Sequence, residues 1–292
     1  MNSIPSNFTP NLISILCPTR MRPNNVLKLV SSARIMAEEP ELLEFIFYVD
    51  HDDQTFPSIS NVKLIKGPRV WISNAHNVLY TNATGEILMT AGDDMEFLTK
   101  NWDTEVRNKF ISIPDKIGLV FGNDLGSHAG KIAVHGFFHR NWINTLGTWV
   151  QPGRGSLWDF WATEVAQKLN RLYYLPHVHI KHIHYRQGSK EAKFDSTYKY
   201  VYLNNSSFDP QKTYRLLERE RRIDRILLAE VMSPKPPLET NYLIASFLVS
   251  ILKSKLSLRN KRKLLILNNI QILTLPFRII LNRLHYRVVS KT

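Results

Sequence analysis

The sequence predicts an α/β fold, a mostly parallel sheet flanked by helices, followed by a helical and basic C-terminal extension. Three observations predict it. Short runs of β-forming residues alternate with helical segments every roughly 15–25 residues, the rhythm of parallel strands joined by right-handed crossovers. Charged clusters recur directly after those runs: Arg20/Arg22, Asp50/Asp52/Asp53 and Asp93/Asp94. The composition, 292 residues with 43% apolar and 11% aromatic, suits one large core plus an appendage.

The elements follow in order. Asn11 to Cys17 is a short apolar run, read as the first strand, and Pro18-Thr-Arg-Met-Arg-Pro23 is a basic loop. Asn24 or Asn25 is placed to cap a helix whose inner face is Val26, Leu27, Leu29, Val30 and Ala33. Leu43 to Val49 and Val62 to Ile65 are the next strands, followed by Gly67-Pro-Arg69 and a helix over Ser73 to Thr81. Glu86 to Thr90 is a fourth strand, Trp102 to Phe110 a helix, and Ile117 to Phe121 another strand. Beyond residue 121 the rhythm loosens. Gln151 to Ser156 is a Gly-containing loop and Trp158 to Leu169 a helix. Leu172 to Leu175 and Val178 to Ile183 are strand-like. Residues 191–232 are charged and helical, Ser233 to Pro237 is a hinge, and no internal repeat is found.

Charge is uneven along the chain. Ten of the 38 Lys/Arg lie in residues 240–292, which contain no Asp or Glu, leaving 28 basic against 25 acidic residues in the rest. A nearly balanced body argues against a nucleic-acid-binding core and for a separate anionic partner of the tail. The tail has no uninterrupted apolar stretch of the ~18 residues a spanning helix needs. A basic amphipathic helix lying on an anionic membrane surface fits it, and so does a helical pair packed on the domain or on a second copy. The single cysteine, Cys17, rules out an intrachain disulfide and a Cys-rich zinc site, and its apolar surroundings make it a small core residue. The N-terminal residues lack a secretory pattern, so the expected location is cytoplasmic, peripheral on the membrane face.

Chemistry concentrates at Ile87-Leu-Met-Thr-Ala-Gly-Asp93-Asp94-Met-Glu-Phe97. Two adjacent carboxylates at the tip of an apolar strand repel each other and lose solvation, and a divalent cation relieves both penalties. A solvated turn is the simpler explanation of the same residues. In a parallel sheet the three charged clusters converge on one rim. Arginines at the first tip suit phosphate, an Asp at the second suits hydrogen bonds from a base or ribose, and Asp93/Asp94 suit a metal on a diphosphate. Neither of the Gly-rich phosphate-loop motifs occurs, which disfavours P-loop and dinucleotide-binding enzymes.

The succession Pro18-Thr-Arg-Met-Arg-Pro23, Tyr48-Val-Asp50-His-Asp-Asp53, Asn77, Gly85-Glu-Ile-Leu, Gly92-Asp93-Asp94 and Trp102-Asp103 resembles the GT-A glycosyltransferases, in particular family-2-type members. The resemblance covers roughly residues 11–200. It implies a GT-A, Rossmann-like domain over residues 1–200, with a donor half of about 11–121 and an acceptor half of about 122–200. Residues 201–239 then form a charged helical segment and Pro-rich hinge, and 240–292 the tail. It implies a hexosyltransferase-type enzyme that uses Mn2+ or Mg2+ and moves a sugar from a nucleotide-diphosphate donor, a UDP-sugar foremost, to a glycan or lipid-linked hydroxyl acceptor. Pro18, Thr19 and Arg20 match the loop that contacts the nucleoside, and Asp50 the acid facing the base. Arg69 and Asn77 fall where diphosphate and sugar are contacted. Asp93 and Asp94 match the metal-binding motif, although the family spelling is Asp-x-Asp and the pair here is adjacent.

In the acceptor half, an inverting transferase needs a carboxylate base. Asp159 matches the family's position at the start of a late helix, with Glu164 in reserve; Asp159 equally suits a helix start through the dipole. In His177-Val-His-Ile-Lys-His-Ile-His184, the residues Val178, Ile180, His182 and His184 share one face of a strand. Family members add a late His to the metal, which implicates His182 or His184. Trp149, Trp158 and Trp161 are placed to stack on a sugar or to fill the core. Two rival readings keep other classes open: a nucleotidyltransferase of the same fold, disfavoured by the Gly-free first loop, and a non-enzymatic basic adaptor that works through its tail.

Overall fold

The computed structural model describes residues 8–147, 157–184, 194–199, 214–215 and 217–232. The expected loop at 151–156, Trp149, the hinge and the basic tail lie outside the described residues.

An eight-stranded mixed sheet carries the chain. In chain order the elements are β1 (Thr9–Thr19), α1 (Pro23–Met36), β2 (Leu43–Asp50), β3 (Val62–Gly67), α2 (Ile72–Asn82), β4 (Gly85–Thr90), β5 (Met95–Phe97), α3 (Trp102–Ile111), β6 (Leu119–Asn123), β7 (Gly136–His139), α4 (Arg140–Leu146), α5 (Trp158–Lys168), β8 (Leu172–His182) and α6 (Glu218–Met232). The strand order is β3-β2-β1-β4-β7-β6-β8-β5. The β3-β2-β1-β4 half is parallel. β7 runs antiparallel to both β4 and β6, and β5 antiparallel to β8. The sheet is therefore mixed beyond β4, where the sequence rhythm also loosens.

Alternation along the strands sorts the core into two layers. Ile13, Ile15 and Cys17 of β1, with Phe45, Phe47 and Val49 of β2, pack under α1 and α3. Leu16, Ile46, Tyr48 and Leu88 face the other way, onto α2, α4 and α5. Helix α1 begins with Pro23 in its first turn, where a missing N–H costs nothing, and Arg22 occupies the N-cap without a side-chain capping bond. The expected Asn cap is thus displaced by proline, and Leu27 lies 44% exposed rather than on the inner face. Leu172 to His182 forms one strand rather than two, with a register shift where Pro176 enters.

One connection positions the site. The chain leaves β4 at the sheet centre, turns through residues 91–94, and enters β5 at the far edge, where Met95 pairs with His182. The Ile183 N–H donates to the Asp94 carbonyl at 2.7 Å. The loop carrying the acid pair is therefore laced to the end of β8.

Candidate active site

Three strand tips form one rim. At the end of β1, Met21 adopts a left-handed backbone (φ 52°), unusual for a side chain with a Cβ. Its N–H donates to Asp53 Oδ2 at 2.6 Å, and Thr55 donates to Asp53 Oδ1 through both N–H and hydroxyl. Burial opposes ionisation of Asp53, but these donors outweigh it and hold its carboxyl below the usual range. Asp53 thus fixes the shape of the β1 tip.

Arg20 Nη1 lies 2.9 Å from Asp50 Oδ2, and the same guanidinium forms a two-pronged pair with exposed Asp52. Arg69 Nε approaches Asp50 at 3.6 Å. Burial raises the pKa of Asp50 even with Arg20 beside it. Asn77, on α2, is 2% exposed, set among the helix's inward-facing residues. Pro18 and Thr19 are the last residues of β1, alongside Tyr48 and Val49 of β2.

The two central acids differ in environment. Asp93 accepts from Thr19 Oγ1 at 2.7 Å on one oxygen and from Arg22 Nη1 at 2.9 Å on the other. Burial raises its pKa, and Asp94 adds to that, against the pull of Arg22. Asp94 accepts from the Tyr198 hydroxyl at 2.7 Å on Oδ2, while its Oδ1 lies 3.4 Å from His182 Nε2. Burial opposes the Asp94 charge, yet His182 and Tyr198 outweigh it and hold this carboxyl well below the usual range. His182 is correspondingly raised: burial disfavours its charge, and the Asp94 contact more than compensates. The adjacent pair thus splits into one acid tied to β1 and one turned to His182.

Histidines line the inner side. His135 packs edge-on against His182 with ring centroids 4.7 Å apart, and burial pushes its pKa down to about 3. His76, 1% exposed, packs beside Trp158 at 5.8 Å, and burial brings it down to about 4. Among the described residues, His76 Nε2, His135 Nε2, His182 Nδ1 and Asp124 Oδ2 are buried without a hydrogen-bond partner. His184 continues outward, 5.3 Å from the His182 ring and 5.0 Å from Tyr198. His177, by contrast, pairs with Glu105 at 3.0 Å on the surface.

Asp159 sits in the first turn of α5, two residues after Leu157, which adopts a left-handed conformation (φ 89°). Its carboxylate accepts from the Phe160 N–H at 2.9 Å. Burial raises its pKa, while His128 and His182 are near enough to lower it in part. Glu164 has a different set of partners. It pairs with Lys168 at 2.9 Å, Arg221 at 2.9 Å and Arg225 at 3.2 Å, and accepts from the Tyr214 hydroxyl. These contacts bind α5 to α6. Trp161 does similar work, donating to Asp224 at 2.8 Å, and Asp103 accepts from the Glu38 and Glu39 N–H groups and from Arg107.

A metal can be tested against this donor set. Among the described residues no group of three or more His, Cys, Asp or Glu is arranged to hold one. Asp94 Oδ1 and His182 Nε2 do face each other at a separation that suits two ligands on one cation. A carboxylate and an imidazole, with diphosphate oxygens and water completing the sphere, fit Mn2+ or Mg2+. Both Asp93 oxygens are already engaged by Thr19 and Arg22. Tyr198, His135 and His76 are residues that sequence spacing gave no means to find, because only tertiary packing brings them beside Asp94, His182 and Trp158.

No protein-family model and no curated protein matches the chain. Solved structures match it in fold. A mannosyltransferase from Pyrobaculum calidifontis, in complex with GDP-Man and Mn2+, is 14% identical, with 96% of this chain and 85% of that chain covered and a TM-score of 0.50. TarS of S. aureus is 14% identical over 80% of this chain and 83% of that one, with a TM-score of 0.47. The same protein in complex with UDP-GlcNAc is 12% identical, with 80% and 83% covered and a TM-score of 0.46. The likeness to the mannosyltransferase shows that the chain has the GT-A fold.

Proposed function

We propose that the chain is a metal-dependent glycosyltransferase that moves a sugar from a nucleotide-diphosphate donor to a hydroxyl acceptor with inversion. The observation that supports this reading is the meeting of Asp94 and His182, 3.4 Å apart, in a loop whose neighbour Asp93 is bonded to the β1 tip through Thr19 and Arg22. Open α/β sheets bind ligands at such strand ends.

In this reading Asp50 accepts hydrogen bonds from the nucleoside, with Pro18, Thr19 and Arg20 forming the wall beside it. Arg22 and Arg69 face the diphosphate, and Asn77 supports that side from α2. Asp94 and His182 hold Mn2+ or Mg2+, and the bound cation draws negative charge from the leaving diphosphate. Asp93 keeps the acid loop against the β1 tip. Asp159 accepts the proton of the acceptor hydroxyl, and burial, which raises its pKa, strengthens it as a base. Glu164 belongs to the α5–α6 interface. The basic segment 240–292 meets an anionic surface, which co-flotation of the full and truncated chains with anionic liposomes tests; neither form floating contradicts it.

A thermal-shift screen of UDP- and GDP-sugars, with and without Mn2+, tests the function. One donor stabilises the protein only when Mn2+ is present, and turnover then releases nucleoside diphosphate. Pyrophosphate as the product would instead mean nucleotidyl transfer.

A further inference from the structure

We propose that Tyr198 is a positioning residue for the cation site, its hydroxyl fixing the Asp94 carboxylate so that Oδ1 faces His182 Nε2. The inference rests on the metal reading of Asp94 and His182 given above.

A carboxylate turns about its last torsion in a broad, shallow well, so its orientation depends on what donates to it. Two groups approach Asp94 from opposite sides. His182 Nε2 lies at 3.4 Å from Oδ1, too long for a strong hydrogen bond. The Tyr198 hydroxyl lies at 2.7 Å from Oδ2, the ordinary length of a good one. Tyr198 therefore sets the plane of the carboxylate. The longer gap on the other side has the size that a cation needs: two neighbouring ligands at ~2.1 Å from one metal stand about 3 Å apart. A cation can enter between Oδ1 and Nε2 while the Tyr198 bond on Oδ2 is kept.

Tyr198 is itself held on several sides. The Arg22 guanidinium lies over its ring, 4.3 Å from the centroid. Its N–H donates to Asp195 Oδ1 at 3.0 Å. Asp195 in turn accepts from Arg22 Nε at 2.7 Å and Nη2 at 3.0 Å, the bidentate geometry that a flexible lysine cannot reproduce. Thr197 donates to the Arg20 carbonyl at 3.2 Å. Residues 194–199 are thereby docked on the β1 tip. Arg22 also holds Asp93, so one side chain ties both acids of the pair, one directly and one through the tyrosine above it. Outer partners of this kind tune metal affinity by 10–100-fold.

The test is Mn2+ binding by the full chain, measured by electron paramagnetic resonance with Mn2+ alone and with Mn2+ plus UDP or GDP. Tyr198→Phe keeps the ring under Arg22 and removes only the hydroxyl. It is expected to weaken Mn2+ binding about 10–100-fold, with an unchanged Tm in the absence of Mn2+, and raising Mn2+ to saturation restores nucleotide binding. Asp195→Asn weakens Mn2+ binding in the same direction by a smaller factor. Equal affinity in Tyr198→Phe means the hydroxyl does not set Asp94, and tighter binding means that it obstructs the cation; either result overturns the proposal while leaving the function intact. A wild-type chain that binds no Mn2+, with or without nucleotide, overturns the metal reading and this inference together.

Discussion

Asp94 Oδ1 stands 3.4 Å from His182 Nε2, although Asp94 follows a strand at the centre of the sheet and His182 ends one near its edge. The short β5–β8 ladder joins them: Met95, next to Asp94, pairs directly with His182. Asp93, one residue earlier, turns instead to Thr19 and Arg22.

This division predicts different phenotypes for neighbouring substitutions. Asp94→Asn is expected to abolish the Mn2+-dependent thermal shift and to lower turnover about a thousandfold, since Lewis-acid stabilisation is worth several kcal/mol. Asp93→Asn leaves Arg22 its Asp195 partner and lowers Mn2+ affinity less than Asp94→Asn does. Calorimetric titration of Mn2+ into both variants checks the order. The reverse order contradicts the assignment.

Asp159 gives a pH prediction. Burial raises its pKa above the ordinary carboxylate value, and a base must be ionised to accept a proton. The acidic limb of the kcat profile therefore lies above the usual Asp range, with activity rising as pH climbs through it. Asp159→Asn removes that limb and lowers kcat by roughly 10²–10⁴-fold, while the donor thermal shift persists. An unchanged profile in this variant removes Asp159 from the role.

His76 links burial to acid stability. Its folded pKa of about 4 lies below the ordinary histidine value of 6.5, so the unfolded chain takes up the proton first as pH falls. Stability from the neutral ring is full above pH 6.5 and is lost as pH drops towards 4, about 3 kcal/mol over that window. Urea unfolding of the wild type and of His76→Gln at pH 7 and pH 4.5 measures it. The variant shows the shallower dependence; parallel slopes contradict the reading.

Glu164 is the contrasting case. It sits among Lys168, Arg221 and Arg225, and Arg221 is only 3% exposed. Glu164→Gln is expected to cost about 1–3 kcal/mol in stability, because a buried guanidinium loses part of its compensation. With protein kept well below its Tm, kcat stays within about twofold of wild type. A large loss of kcat with an unchanged Tm would return Glu164 to the catalytic machinery.

The parallel half of the fold was legible in the sequence because each strand there is a run rich in apolar and β-forming residues followed by its own turn residues, as in Leu43 to Asp50. The convergence of Arg20, Asp50 and Asp93 follows from that order alone. What lay beyond reading depends on non-local pairing. β7 is only four residues long and antiparallel, and β5 only three, too short for any period to register. The engagement of Asp93 by Arg22, and the approach of Tyr198 to Asp94, come from packing between distant segments. The parity of Val178, Ile180 and His182 did identify the inward face of β8, since Val178 and Ile180 are buried. The Asn cap failed for a local reason: Pro23 pre-sets the helical φ one residue earlier.

The most direct test of the central claim is a crystal structure of the full chain soaked with Mn2+ and a nucleoside diphosphate, read by manganese anomalous scattering. A peak is expected within about 2.3 Å of both Asp94 Oδ1 and His182 Nε2, with diphosphate oxygens on its open side. A nucleotide bound elsewhere, with no manganese between these two side chains, would contradict it.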